Sequence, residues 1–365
     1  MPRVDGLSAE VFRFPTPEPE SDGTLEWDAT TAVVATAHAG GQTGLGWTYS
    51  TGAAAAIVRD HLAAVVSGRE ADDIAGCWSA MHRACRNLGT RGVVMHAISA
   101  VDVALWDLKA RLLGVPLARL LGRCRHAVPV YGSGGFTSMS DEQLGAQVEG
   151  WHKAGCRAMK IKIGEDWGRC VERDLDRVAT LRKLAGPSVT LMVDANGGYE
   201  RGEARRVGEL LDELGVVWFE EPVSSDDVTG LAGLRAALRC DVTAGEYVAD
   251  IADARLLVGA VDCLQLDATR CGGYTGFLRA AALAAGHQLA VSAHCAPALH
   301  LPVAAAIPNL RHVEWFADHV RLEPMLLDGV PDVHDGAMPV RLDEIGHGYR
   351  LADTKLPGAK GFDPR

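Results

Sequence analysis

The sequence predicts an α/β protein, a (β/α) TIM-type barrel preceded by an α+β capping domain. Three observations carry this. From Val128 onward, short apolar runs alternate with amphipathic stretches of helical period. Eight such runs fall within a span of roughly 200 residues, which suits a closed parallel barrel. Nearly every run carries an ionisable residue at or near its end.

The runs are "VPVYGS", "AMKIKIG", "VTLMVDAN", "VVWFEEP", "DVTAGE", "CLQLDA", "QLAVSAH" and "HVEWF". Between them lie helical segments such as "DEQLGAQVEGWHKAG" and "YERGEARRVGELLDELG". An open doubly wound sheet is the alternative. No G-x-G-x-x-G sits at a first strand-to-helix turn, and no G-x-x-x-x-G-K-[ST] occurs. The barrel is expected over residues 126–340. Residues 1–125 read as the capping domain. It opens with strands, "VDGLSAEVFRFP" and "TTAVVATAHAGGQTGLGWTY", with a surface loop expected at "PTPEPESDGTLEWD". From Ala53 to Leu121 the pattern is helical, and "SAVDVALWDLKARLLG" stops at Gly114 and Pro116. Residues 341–365 are expected to return to the capping domain.

Bulk properties narrow the function. The 365 residues are 48% hydrophobic and 23% charged, an ordinary balance for a soluble protein. A net charge of -11 argues against nucleic acid as a partner. Neither a signal peptide nor an apolar run long enough for a membrane span is read, so a cytoplasmic protein is expected. The nine cysteines show no C-x-x-C pair and read as reduced thiols.

The strand-end residues carry the chemistry. In a parallel barrel all C-terminal strand ends share one face, where such enzymes build their sites. That face gathers Lys160, Lys162, Asp194, Asn196, Glu220, Glu246, Asp267, His294 and Glu314. Asp194, Glu220 and Glu246 fall 26 residues apart in each step (220 − 194 and 246 − 220). Three carboxylates on neighbouring strands repel one another unless a cation joins them. All-oxygen ligands select a hard ion, Mg²⁺ before Mn²⁺. Glu221 competes for the strand-four place, but alternation sends it the other way. Asp267 is placed to orient His294 and raise its basicity. Lys162, beside Lys160 and a cation, is expected to have a lowered pKa. Two bases facing across a metal suit abstraction of a proton next to a carboxylate, through an enediolate.

These pieces, in this order and spacing, resemble the enolase superfamily, and within it the mandelate racemase subgroup. The resemblance spans nearly the whole chain. It implies a modified (β/α) barrel and Mg²⁺ on Asp194, Glu220 and Glu246. Lys162 then looks like the base on one face, with Lys160 near the substrate carboxylate. His294 with Asp267 looks like the base or acid on the other face, a Lys or His base beside Mg²⁺ being the general pattern of this superfamily. Glu314 looks like a protonated donor to the substrate carboxylate, and Asn196 like support for the substrate or metal shell. The subgroup resemblance allows dehydration of acid sugars, racemisation or epimerisation, and lactone cycloisomerisation. Dehydration to a 2-keto-3-deoxy acid is the reading adopted, although Asn196 stands where one dehydratase subtype carries histidine. A catalytically idle binding relative and a Schiff-base lyase are its rivals. A small-molecule carboxylate is the expected partner, and the resemblance implies a homo-oligomer.

Specificity is expected from the capping domain. Trp27, Asp28, Trp47 and Tyr49 are the candidates for substrate contact. Arg91 and His96 open a helix without an assigned role. Cys295, next to His294, is expected to alternate outward into the core.

Overall fold

The computed structural model describes residues 1–352. The last part of the expected C-terminal return, residues 353–365, lies outside the described residues. The first three strands, β1 (Gly6–Ser21), β2 (Glu26–Ala39) and β3 (Gln42–Tyr49), form an antiparallel sheet in that order. Against it packs the 21-residue helix Val93–Leu113, which ends at Gly114. Gly44 and Gly46, on one face of β3, permit the approach. A Cβ at these positions would lie 2.1 Å from the Ala104 carbonyl oxygen and 2.3 Å from that of Ala100.

The stretch "PTPEPES", read as a surface loop, instead continues β1 and pairs across a bulge with the start of β2. Pro15, Pro17 and Pro19 recur at every second residue of an edge strand, where a missing N–H costs no ladder bond. The strand pattern was hidden because proline and acid dominate it.

Eight parallel strands then close a barrel: β4 (Ala127–Gly134), β5 (Ala158–Lys162), β6 (Thr190–Asp194), β7 (Val216–Glu220), β8 (Asp241–Ala244), β9 (Cys263–Leu266), β10 (Ala290–Ala293) and β11 (Leu310–Phe316). Each pairs with the next, and β11 pairs with β4. Period 2 divides every strand into two sets. Met159, Ile161, Leu191, Val193, Phe219, Val242, Leu264 and Val291 are buried in the large core shared with the surrounding helices. The other set points inward. Tyr131, Met192, Trp218 and Cys263 form an apolar plug inside the barrel. Two residues further along the same strands come Ser133, Asp194, Glu220 and Gln265. The charged residues are therefore the upper layer of a filled interior, not a wet face.

The hairpin between β1 and β2 reaches over the barrel mouth. Thr137 N–H donates to Ser21 O at 2.8 Å, and Trp167 N–H donates to Gly23 O at 3.0 Å. Gly23 sits directly on the loop after β5; a Cβ there would lie 2.5 Å from Ile163 O and 2.6 Å from Gly164 O. Both obstacles are backbone, so a side chain must lift the hairpin. Gly23→Ala is expected to raise the substrate KM about 10-fold and cost about 1–3 kcal/mol of stability. Steady-state kinetics and thermal melts check both.

After the barrel, β12 (Leu327–Asp328) pairs with β14 (Arg350–Leu351), and β13 (Ala337–Pro339) adds antiparallel to β4. The chain meets the capping helix at Asp107. Its buried carboxylate accepts from Leu45 N, Arg111 Nε and His347 N, at 3.0, 2.7 and 2.9 Å. No helix among the described residues is long and apolar enough to cross a membrane.

Candidate active site

Strand register builds the site. Lys162 is level with Asp194, Asp194 with Glu220, and Glu220 with Thr243. Glu246 reaches the same level from beyond the end of β8. Ligand oxygens of Asp194, Glu220 and Glu246 all lie within 4.8 Å of one another, and all three residues are buried. Glu220 Oε1 and Glu246 Oε2 have no hydrogen-bond partner. Buried carboxylate oxygens left unpaired are costly. Three converging carboxylates, two of them with an unpaired oxygen, fit a hard divalent cation.

The lysines occupy the same cluster. Lys162 Nζ donates to Asp194 Oδ2 at 2.5 Å, and Lys160 Nζ to Glu220 Oε2 at 2.7 Å and Glu314 Oε1 at 2.8 Å. Burial alone would lower both ammonium groups. At Lys162 the Asp194 carboxylate outweighs burial and the Lys160 charge, and its pKa is raised. At Lys160 the Glu220 and Glu314 carboxylates do the same. The Asp194 carboxylate, the nearest charge, thus opposes the lowering that Lys160 and a cation were expected to cause. Lys160 is fully buried beneath the cavity, where it ties Glu220 to Glu314. It is not among the residues that line the cavity described below.

Across the barrel mouth, His294 Nδ1 lies 3.0 Å from Asp267 Oδ2. Its Nε2 lies 3.3 Å from Glu246 Oε2. Burial pushes the imidazole down, but Glu246 and then Asp267 overcome it, and the pKa is raised. Glu314 departs from expectation. Its oxygens accept from Ser133 Oγ at 2.6 Å, Cys295 N at 3.0 Å and Lys160. Burial would raise its pKa, but Lys160 and His294 hold it well below the usual carboxylate range. Glu314 is thus placed here as an acceptor from Ser133, Cys295 and Lys160.

Lys162 and His294 line one cavity of about 350 Å³, with Asn196, Glu246, Trp27 and Tyr49. Asn196 has a left-handed backbone (φ 46) and donates its N–H to Asp194 Oδ1 at 2.9 Å. Trp27 Nε1 donates to Glu20 Oε2 at 3.0 Å. Tyr49 stacks on His319 with ring centroids 3.7 Å apart. Two capping-domain expectations fail. Trp47 is fully buried in the core, edge-on to His347 and Tyr349. Asp28 is on the outer surface, paired with Arg13 at 2.9 Å.

The structure also brings in residues that sequence reasoning missed or misplaced. Arg270 lines the cavity and bridges Glu246 Oε1 at 2.9 Å and Asp267 Oδ2 at 3.2 Å. Its place three residues after Asp267 was the available signal. Cys295 lines the cavity too, against the outward expectation. It lies beyond the end of β10 with φ 51, so strand alternation no longer applies. Glu221 likewise follows the last residue of β7 with φ 38 and remains buried. Burial first, then the charges of Glu246 and Asp194, push its carboxyl well up. His96 hydrogen-bonds Ser50 Oγ at 2.9 Å, behind the cavity wall, and Arg91 pairs with Asp253.

Two family models match this chain. "Mandelate racemase / muconate lactonizing enzyme, N-terminal domain" covers residues 11–122, and "Enolase C-terminal domain-like" covers residues 143–355. The chain belongs to the mandelate racemase/muconate lactonizing enzyme family of the enolase superfamily. Within this family it is 33% identical over 319 residues to an L-talarate/galactarate dehydratase of Salmonella typhimurium, covering 85% of this chain and 77% of that protein. A crystal structure of that dehydratase, liganded with Mg and L-lyxarohydroxamate, matches with a TM-score of 0.90 at 29% identity, over 98% of this chain and 93% of that one. A 3,6-anhydro-alpha-L-galactonate cycloisomerase of Streptomyces coelicolor is 32% identical over 364 residues, 97% of this chain and 98% of the relative. A mandelate racemase/muconate lactonizing enzyme-like protein from Rubrobacter xylanophilus is 46% identical, with a TM-score of 0.93 over 96% of this chain and 97% of that one. The family architecture, a closed eight-strand parallel barrel under an antiparallel capping domain, is the one described above. Like its named relatives, this family member is an enzyme.

Proposed function

We propose that this enzyme is a Mg²⁺-dependent dehydratase of an acid sugar, yielding a 2-keto-3-deoxy acid. The observation that carries the reading is the placing of Lys162 and His294 on one cavity, with the three-carboxylate cluster between their strands. Asp194, Glu220 and Glu246 would hold the cation. It supplies positive charge to the substrate carboxylate and so makes the α-proton more acidic.

The chain's own residues do the rest. Lys162 or His294 removes the α-proton, according to the configuration at that carbon. Lys162, held by Asp194 at its Nζ, acts as the base in its neutral form. The resulting enediolate expels the β-hydroxyl as the opposite group donates a proton to it, and water leaves. The enol then becomes the keto acid. Asp267 holds His294 by Nδ1 and leaves Nε2 directed at the cavity. Lys160 keeps Glu220 and Glu314 in place from below. The cavity wall favours a polyhydroxylated substrate: Thr30, Thr31, Ser50, Asn196, Arg270 and His319 all offer polar atoms. A lactone cycloisomerase is the second reading, favoured by the full-length similarity to the Streptomyces enzyme.

A library of acid sugars and lactones, incubated with Mg²⁺ and read by keto-acid formation, tests the proposal. EDTA is expected to abolish turnover and Mg²⁺ to restore it. A lactone consumed without keto-acid release favours the second reading. Inactivation by borohydride in the presence of a keto substrate would indicate Schiff-base chemistry instead.

A further inference from the structure

Cys295 adds to this site a donor that the proposed reaction does not use, beside His294 and Glu314. His294 Nε2 and Cys295 Sγ are 3.2 Å apart, Cys295 Sγ and Glu314 Oε2 are 3.5 Å apart, and His294 Nε2 and Glu314 Oε2 are 3.8 Å apart. All three residues are buried. A tetrahedral zinc site with bonds of ~2.0–2.3 Å places its donors about 3.3–3.6 Å apart. The triangle is close to one face of that tetrahedron before any rearrangement. The fourth position opens on the cavity that His294 and Cys295 line.

The backbone supports this arrangement. Cys295 and Ala296 are consecutive non-glycine residues with positive φ, 51 and 40. This turn brings Sγ round to the same side as the imidazole. Asp267 takes Nδ1, which leaves Nε2 as the metal-binding nitrogen.

The geometry points to a second metal site, His294–Cys295–Glu314, that takes a soft divalent ion of the zinc type and silences the His294 base. The donor chemistry separates it from the carboxylate cluster. A thiol, an imidazole and one carboxylate select Zn²⁺ over Mg²⁺, whereas three carboxylates offer only the hard oxygen donors that suit Mg²⁺. Binding releases the thiol proton to solvent and leaves a thiolate–metal bond. The Nε2 lone pair is then committed and cannot accept a substrate proton. Zinc would act as an inhibitor that excess Mg²⁺ does not displace. Only this consequence rests on the function proposed above.

The test needs no substrate, so it can fail or succeed independently of that function. The enzyme, saturated with Mg²⁺, is titrated with Co²⁺ as an optical probe. The expected result is one equivalent showing thiolate-to-cobalt charge-transfer absorption, bleached by Zn²⁺ and missing from Cys295→Ser. Absence of the band in the wild type, or an equal band in the variant, would overturn the site. Should the variant not fold, the wild type still decides. Zn²⁺ is expected to slow iodoacetamide labelling of Cys295 by about 10-fold or more while sparing the exposed Cys124. Unchanged labelling of Cys295 would contradict the proposal.

Discussion

Glu246→Gln is expected to lose Mg²⁺ binding and turnover together. The substitution keeps the shape and removes the charge from one of three converging ligands. Magnesium affinity should fall about 100-fold or more, beyond the usual effect of altering an outer partner. Loss of the cation removes several kcal/mol of transition-state stabilisation, and ~4 kcal/mol corresponds to about 10³-fold in rate. The same carboxylate also neutralises Arg270 and faces His294. Added Mg²⁺ should therefore rescue the variant only in part. Calorimetric titration with Mg²⁺ and steady-state assays check both effects, and circular dichroism checks the fold. Unchanged affinity for Mg²⁺ would remove Glu246 from the ligand set.

Asp267→Asn is expected to lower kcat by about 10²–10⁴-fold. Asp267 accepts from His294 Nδ1 and places the free lone pair at Nε2. An amide no longer stabilises the imidazolium and can turn its NH₂ toward the ring, which reverses the tautomer. Thr269 N–H, which donates to Asp267 Oδ1 at 2.7 Å, should keep the side chain near its native position. Magnesium affinity should change little, since Asp267 is not among the converging ligands. This split between kcat and metal affinity separates loss of the histidine's orientation from general damage. Equal losses in both would mean that Arg270, freed from one partner, had pulled Glu246 out of place.

Much of this site was legible because strand period and barrel topology act together. Once eight runs were placed in a parallel barrel, alternation alone put Lys160, Lys162, Asp194 and Glu220 on the inside. Three kinds of residue escaped. Some lie past the last hydrogen-bonded pair of a strand, where alternation ends. Glu221 and Cys295 both turn on a positive φ; Cys295 lines the cavity and Glu221 stays buried. Others depend on how the capping sheet meets the barrel. Trp47 and Tyr49 share a strand, yet only Tyr49, nearer the end of β3, reaches the cavity. The third kind is protonation. Neighbouring positive charge suggested a lowered Lys162, and the resemblance a protonated Glu314, but each side chain here is paired with an opposite charge. That partner is Asp194 in one case and Lys160 in the other.

The central claim is that two bases work from opposite faces of one substrate. Exchange of the α-proton in D₂O tests it most directly. A turned-over acid sugar and its C2 epimer are each incubated with wild type, Lys162→Ala and His294→Asn, all with Mg²⁺, and deuterium at C2 is read by NMR. The prediction is that each variant keeps exchange with one epimer only, and that the two variants keep opposite ones. Exchange of both epimers by Lys162→Ala would contradict the account.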